Sequence, residues 1–221
     1  MSRLKAQIAA ATLIVCALPC ACGPIRPAPA PPQTEEGAGK PEAAWDIPEP
    51  VPLPERWDVT DRVEIKTSMG TMVVGLYGDA APATVANFLA YVDKGFYSQK
   101  VFHRVIPGFM VQGGGYDADL ARQETDPPVK LEIIPGLRHE PGTVSMARTS
   151  DPNSATAQFF VCVAITPQLN GAYAVFGKLE EGFDVAANIS AVKTHRVETD
   201  RGAMDDVPVT PVFIEYIKRL D

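Results

Sequence analysis

Arg104 is the residue whose surroundings most clearly suggest chemistry. It stands in the apolar run Phe102-His103-Arg104-Val105-Ile106, which leads through Pro107-Gly108 into Phe109-Met110-Val111-Gln112-Gly113-Gly114. Strand alternation puts Arg104 on one face with Phe102 and Ile106, and His103 and Val105 on the other. A guanidinium on an apolar strand is costly unless it has partners or borders a cleft. Gln112 is a natural partner. A second run, Ser145-Met146-Ala147-Arg148-Thr149-Ser150-Asp151-Pro152-Asn153-Ser154-Ala155-Thr156-Ala157-Gln158-Phe159-Phe160, puts Gln158 and Phe160 on one strand face and leaves Phe159 and Val161 for a core. Phe109, Met110, Phe160 and Leu169 are large apolar side chains in these runs and just beyond them. Taken singly, each reads as a core residue.

Other chemistries find little support. His103, His139 and His195 are scattered, with no pair at metal-ligand spacing. Gly113-Gly114-Gly115 lacks the lysine of a phosphate loop and reads as a tight turn. Cys162 lies in the apolar run from Phe159 to Ala164, as a buried structural thiol would. Asp205-Asp206 reads as a solvated turn. No metal and no cofactor is expected.

The two runs resemble the signature strands of the cyclophilins, the peptidyl-prolyl cis-trans isomerases. The likeness extends over nearly all of Val63 to Lys218, including Ala81-Pro82-Ala83-Thr84-Val85-Ala86-Asn87-Phe88 and Gly95-Phe96-Tyr97. Tyr116-Asp117, Pro127-Pro128 and Gly202-Ala203-Met204-Asp205-Asp206-Val207-Pro208 are similar to the bacterial, periplasmic branch. The resemblance implies that Arg104, Gln112 and Phe109 are catalytic, with the glutamine helping to hold the arginine. It implies a substrate surface made by Met110, Ala147, Arg148, Thr149, Gln158, Phe160, Leu169 and Tyr173. An X-Pro bond isomerises unaided over roughly tens to hundreds of seconds, against a barrier set by amide resonance. A catalyst needs a donor near the prolyl nitrogen, an apolar slot for the ring and anchors on the flanking backbone.

Departures from the family pattern are informative. Arg148 stands where many cyclophilins have asparagine, and Tyr173 replaces a common histidine. Gln168 occupies the position of a tryptophan that the family associates with cyclosporin binding, so weak cyclosporin affinity is expected. Two other readings of the chain remain: a proline-segment binding or chaperone module with little turnover, and a surface lipoprotein whose barrel is incidental.

The elements needed to position these residues can be read from pattern. Val63 and Ile65 alternate before a Met69-Gly70 turn, and Met72 to Tyr77 answers as a second strand. Val85, Phe88, Leu89 and Val92 form a helical stripe, with Pro82 suited to its first turn and Gly95 to a left-handed cap. Strands are expected at Val101 to Val105, Met110 to Gln112, Val144 to Met146, Gln158 to Ala164, Ala174 to Phe176 and Val209 to Ile217. A shorter helix is expected from Phe183 to Val192. Pattern alone gives a mixed, mostly β chain; the resemblance implies an eight-stranded antiparallel barrel capped by two α-helices.

The chain has 221 residues and a net charge of -7, which opposes nucleic-acid binding, since phosphates require a basic surface. Residues 1–22 read as a signal peptide: Arg3 and Lys5 precede an apolar run of about eleven residues, Ile8 to Leu18. Cys16, Cys20 and Cys22 crowd its end. The segment resembles a bacterial lipoprotein signal with Cys22 lipidated, although Pro19 stands where leucine is preferred; plain secretion is the alternative. Gly23 after that cysteine leans towards an outer-membrane address. Residues 23–55, rich in Pro, Ala and Glu, read as a disordered tether, at most roughly 100 Å long at about 3.1 Å per residue. Residues 56–221 would then be the isomerase domain. Cleavage at Cys22 would leave Cys162 as the only thiol, so no internal disulfide is expected. The expected protein is exported, periplasmic or cell-surface, lipid-anchored and monomeric, with proline-containing polypeptides as clients.

Overall fold

The computed structural model describes residues 57–200 and 202–221; the signal-peptide and tether readings fall outside them. Ten strands and two α-helices are present among the described residues. β1 (Asp61–Thr67) and β2 (Gly70–Leu76) form the expected hairpin, in register from Asp61 opposite Leu76 to Thr67 opposite Gly70. α1 (Pro82–Asp93) starts on its proline and is followed by Gly95 at φ 64°. The remaining elements are β3 (Lys100–Ile106), β4 (Met110–Gly113), β5 (Thr143–Met146), β6 (Phe159–Cys162), β7 (Val175–Glu181), α2 (Phe183–Ser190), β8 (Thr194–Thr199), β9 (Gly202–Pro208) and β10 (Phe213–Leu220). Eight strands close into an antiparallel barrel in the order β1-β10-β3-β4-β6-β5-β7-β2, while β8 and β9 form a separate hairpin.

Inward residues of the strands fill the barrel. Val63 and Ile65 of β1, Met72, Val74 and Leu76 of β2, and Val144, Met146, Phe159 and Val161 of β5 and β6 share one core. The apolar stripe of α1 (Val85, Phe88, Leu89, Val92) and Val185, Ala186 and Ile189 of α2 join it. Phe88 anchors an aromatic cluster, with Tyr97, Phe159 and Phe176 at centroid distances of 5.1–5.6 Å.

Two expectations about the chain's end need correction. The last strand begins at Phe213 rather than Val209 and runs to Leu220. Asp205 and Asp206 are not a solvated turn: they lie within β9, in a hairpin packed along β3. The hairpin was hidden because β8 reads Thr194-His195-Arg196-Val197-Glu198-Thr199, almost without apolar residues.

Candidate active site

β5 and β6 are buried along their whole lengths, so this part of the wall is covered on both faces, with Thr143 and Ser145 the polar residues buried in β5. The inward face belongs to the barrel core. The outward face carries a second, smaller cluster: Met110, Phe160 and Cys162 are buried, with Ile106, Phe109, Ala147, Leu169 and Tyr173 packed against them. Alternation decides the division, sending Phe159 and Val161 inward and Phe160 and Cys162 outward. Sheet register completes the arrangement. Arg104 pairs with Gln112, Gln112 with Phe160, and Phe160 with Ser145, so one transverse row crosses four strands.

Arg104, Phe109, Met110, Gln112, Ala147, Arg148, Phe160, Leu169 and Tyr173 line a cleft of about 220 Å³ over this outward face. Nine of the eleven expected site residues therefore meet at one place. Phe160 forms its floor, with Tyr173 edge-on at 5.5 Å. Leu169 closes a short 3₁₀ turn, Pro167–Leu169, with Gln168 exposed beside it. The Arg148 guanidinium lies 4.8 Å from the centre of the Tyr173 ring and donates to the carbonyls of Ala172 and Thr149, both at 2.8 Å.

The other two residues are not part of this lining. Gln158 accepts a 3.0 Å hydrogen bond from Gln112 Nε2, and its carbonyl accepts from the Ala147 N–H at 2.9 Å. Thr149 is exposed, with its N–H and hydroxyl both donating to Ser154 Oγ. The Ala147 N–H is thus engaged within the protein rather than offered to a client.

Arg104 itself departs from expectation twice. Phe102 is not on its face: the ladder between β3 and β4 slips between Phe102 and Arg104, so Phe102 and Val105 both enter the barrel core. A bulge of this kind adds one residue and reverses the alternation beyond it. Nor is Gln112 bonded to the arginine: the hydrogen bond its side chain makes runs from Nε2 to Gln158. The group beside Arg104 is Asp206 of β9, with Nε and Oδ2 3.8 Å apart.

Sequence reasoning also missed His139. Its ring stacks on Phe160 at 5.9 Å, with Nδ1 3.0 Å from Asn170 Oδ1, and burial lowers its pKa. Standing between Arg138 and Glu140, it gave no sign of being buried. Cys162 is buried beneath the cleft with Sγ 3.4 Å from Thr166 Oγ1, and burial pushes its thiol pKa up. A thiol held protonated in this way is a poor nucleophile. Of the two guanidiniums in the cleft lining, Arg148 is held by backbone carbonyls and Arg104 is exposed beside the apolar residues, an arrangement suited to polarising and holding a bound group without forming a bond to it.

Known proteins match the chain over nearly the whole barrel. Residues 62–219 match the family model described as cyclophilin type peptidyl-prolyl cis-trans isomerase/CLD. The chain is 47% identical over 161 residues to peptidyl-prolyl cis-trans isomerase A of Dickeya dadantii, covering 71% of this chain and 83% of that protein. It is 48% identical over 166 residues to peptidyl-prolyl cis-trans isomerase cyp18 of Streptomyces antibioticus, covering 72% and 98%. Among solved structures, a Cryptosporidium parvum cyclophilin type isomerase crystallised in the presence of the dipeptide ala-pro superposes with a TM-score of 0.62. That match is 29% identical and covers 72% of this chain and 99% of the other.

Proposed function

We propose that this chain, which belongs to the cyclophilin-type peptidyl-prolyl cis-trans isomerases, accelerates X-Pro isomerisation during the folding of proteins outside the cytoplasm. The observation that carries the site assignment is the row Arg104-Gln112-Phe160, which sets a cation beside an apolar floor. A prolyl ring resting on Phe160, Met110 and Leu169 would hold the residue that must not turn. The preceding carbonyl would rotate, and the prolyl nitrogen would become pyramidal as its lone pair leaves resonance. A guanidinium N–H of Arg104 donating to that lone pair stabilises the twisted amide and not the planar one, which is the condition for acceleration. Gln112, bonded to Gln158, and Phe109 complete the lining of the slot.

One charge-assisted hydrogen bond contributes about 1.5–3 kcal/mol, or about one to two decades of rate. The slot and the held geometry must supply the remainder. A protease-coupled assay on an Ala-Xaa-Pro-Phe peptide, run on the purified protein and on Arg104→Ala, tests the assignment. The expected result is a fall in kcat/KM of about ten- to a hundredfold in a variant that still folds. An unchanged kcat/KM would remove Arg104 from the mechanism. A proline-binding module without turnover would not need the arginine.

The extracytoplasmic role rests on Arg3, Lys5, the apolar run Ile8 to Leu18 and the cysteine at position 22. In this reading Cys22 is lipidated, residues 23–55 tether a monomeric domain to a membrane, and unfolded exported chains are the clients. Mass spectrometry of the mature N-terminus should find a diacylated Cys22. A retained Met1, or cleavage that removes Cys22, would refute the anchor.

A further inference from the structure

The β8–β9 hairpin is irregular at one place, and that place faces Arg104. His195 pairs with Val207 but Val197 pairs with Met204, so Asp205 and Asp206 bulge opposite Arg196. Asp206 adopts φ 61°, the left-handed region that side chains other than those of Gly, Asn and Asp rarely tolerate. The two acids are divided by the bulge. Asp205 is held within the hairpin by Arg196 Nη1 at 2.9 Å. Asp206 points off it, towards Arg104 Nε at 3.8 Å. Bulges of this kind commonly re-aim a side chain beside an active site, and strained residues concentrate there.

We propose that Asp206 is a positioning residue for Arg104, acting through the guanidinium and not on the substrate. This rests on the reading of Arg104 given above. Arg104 is about half exposed, with 47% of its side chain accessible, and a long cationic side chain at such a site has many rotamers. Gln112 makes no hydrogen bond to it; the bond from this side chain runs from Nε2 to Gln158 Oε1. A carboxylate near Nε restricts the fork from behind while its terminal nitrogens remain for a client's prolyl nitrogen. The hairpin, which contributes no residue to the cleft lining, thereby acquires a role in turnover.

The test uses Asp206→Asn, Asp206→Gly and Asp206→Glu in the purified full chain, each alone and on the Arg104→Ala background. Asparagine removes the charge and tolerates the backbone. Glycine removes the charge and relaxes the strain, so it should fold at least as well as the wild type. An exposed ion pair predicts that both lower kcat/KM by about two- to fivefold at low salt, while glutamate restores part of the loss. On the Arg104→Ala background the same changes should have no effect, and about 1 M NaCl should abolish the difference between wild type and Asp206→Asn. Equal losses on both backgrounds, or wild-type turnover in Asp206→Asn and Asp206→Gly, would overturn the proposal and leave Arg104 in place. A wild-type protein without turnover would instead defeat the underlying assignment, and this proposal with it.

Discussion

Replacing His103 by phenylalanine should flatten the acid side of this protein's stability curve. His103 is 3% exposed, and its Nδ1 has no hydrogen-bond partner. Its ring lies 4.6 Å from that of Tyr116. Burial, reinforced by the adjacent Arg104 charge, lowers its pKa from the usual 6.5 to about 4. The folded state therefore holds the ring neutral, while the unfolded state binds a proton once pH falls below about 6.5. Between those two values the unfolded chain carries more protons, so stability falls with falling pH. The depression of about 2.5 units corresponds to about 3 kcal/mol, fully present above pH ~6.5 and lost by pH ~4. For a domain of this size that is about 6–12 °C in Tm. Phenylalanine keeps a ring against Tyr116 and has nothing to protonate. Asp93 and Glu64, whose pKa values are lowered by Arg219 and by Lys218 with Tyr216, titrate in both proteins and cancel in the difference. Urea unfolding of the two proteins at pH 7, 5.5 and 4 should show the gap between them shifting by about 3 kcal/mol in favour of the variant as pH falls. Parallel curves would show that the buried ring is not an acid-sensitive component of the fold.

Other expectations follow from the same packing. Tyr97 is fully buried and donates a 2.8 Å hydrogen bond to the Ala157 carbonyl, so Tyr97→Phe should cost about 1–3 kcal/mol, read by thermal unfolding; an unchanged Tm would mean that the carbonyl finds another donor. A Cβ on Gly115 would lie 2.4 Å from Gln158 Cγ, so Gly115→Ala should cost about 1–3 kcal/mol and also lower kcat/KM by displacing the partner of Gln112. Stability loss with full turnover would show that the glutamine pair is dispensable. Gln168 presents no indole to a ligand at the edge of the cleft, and titration calorimetry with cyclosporin should find weak binding; a tight complex would contradict the reading.

Much of the site was legible because short strands leave alternation little freedom. Once Phe159-Phe160-Val161-Cys162 is taken as a wall strand, one pair must face the core and the other must face outward, and two chemically suitable rows result. What alternation cannot show is a bulge, since an extra residue leaves no mark in composition. That is why Phe102 was placed beside Arg104 when it lies in the core. Side-chain amides were opaque for a related reason. Gln112 could serve either Arg104 or Gln158, and the choice depends on rotamers, which Gly115 permits by leaving room for Gln158. The β8–β9 hairpin was missed because its residues are polar on the exposed side and it contributes little to the core. A buried histidine between two charged neighbours, His139, offered no pattern at all.

The transverse row from Arg104 through Gln112 and Phe160 to Ser145 has a practical consequence for handling this protein. A slip of one residue between any two of these strands would send Phe160 or Arg104 into the barrel and Phe159 or Val105 into solvent. A misregistered form would thus be both poorly packed and without a cleft, so a compact but inactive species from this source should not accumulate. Turnover per mole of chain then serves as a direct gauge of correctly assembled protein in a preparation, and can be read on crude refolding mixtures where spectroscopic signals are ambiguous.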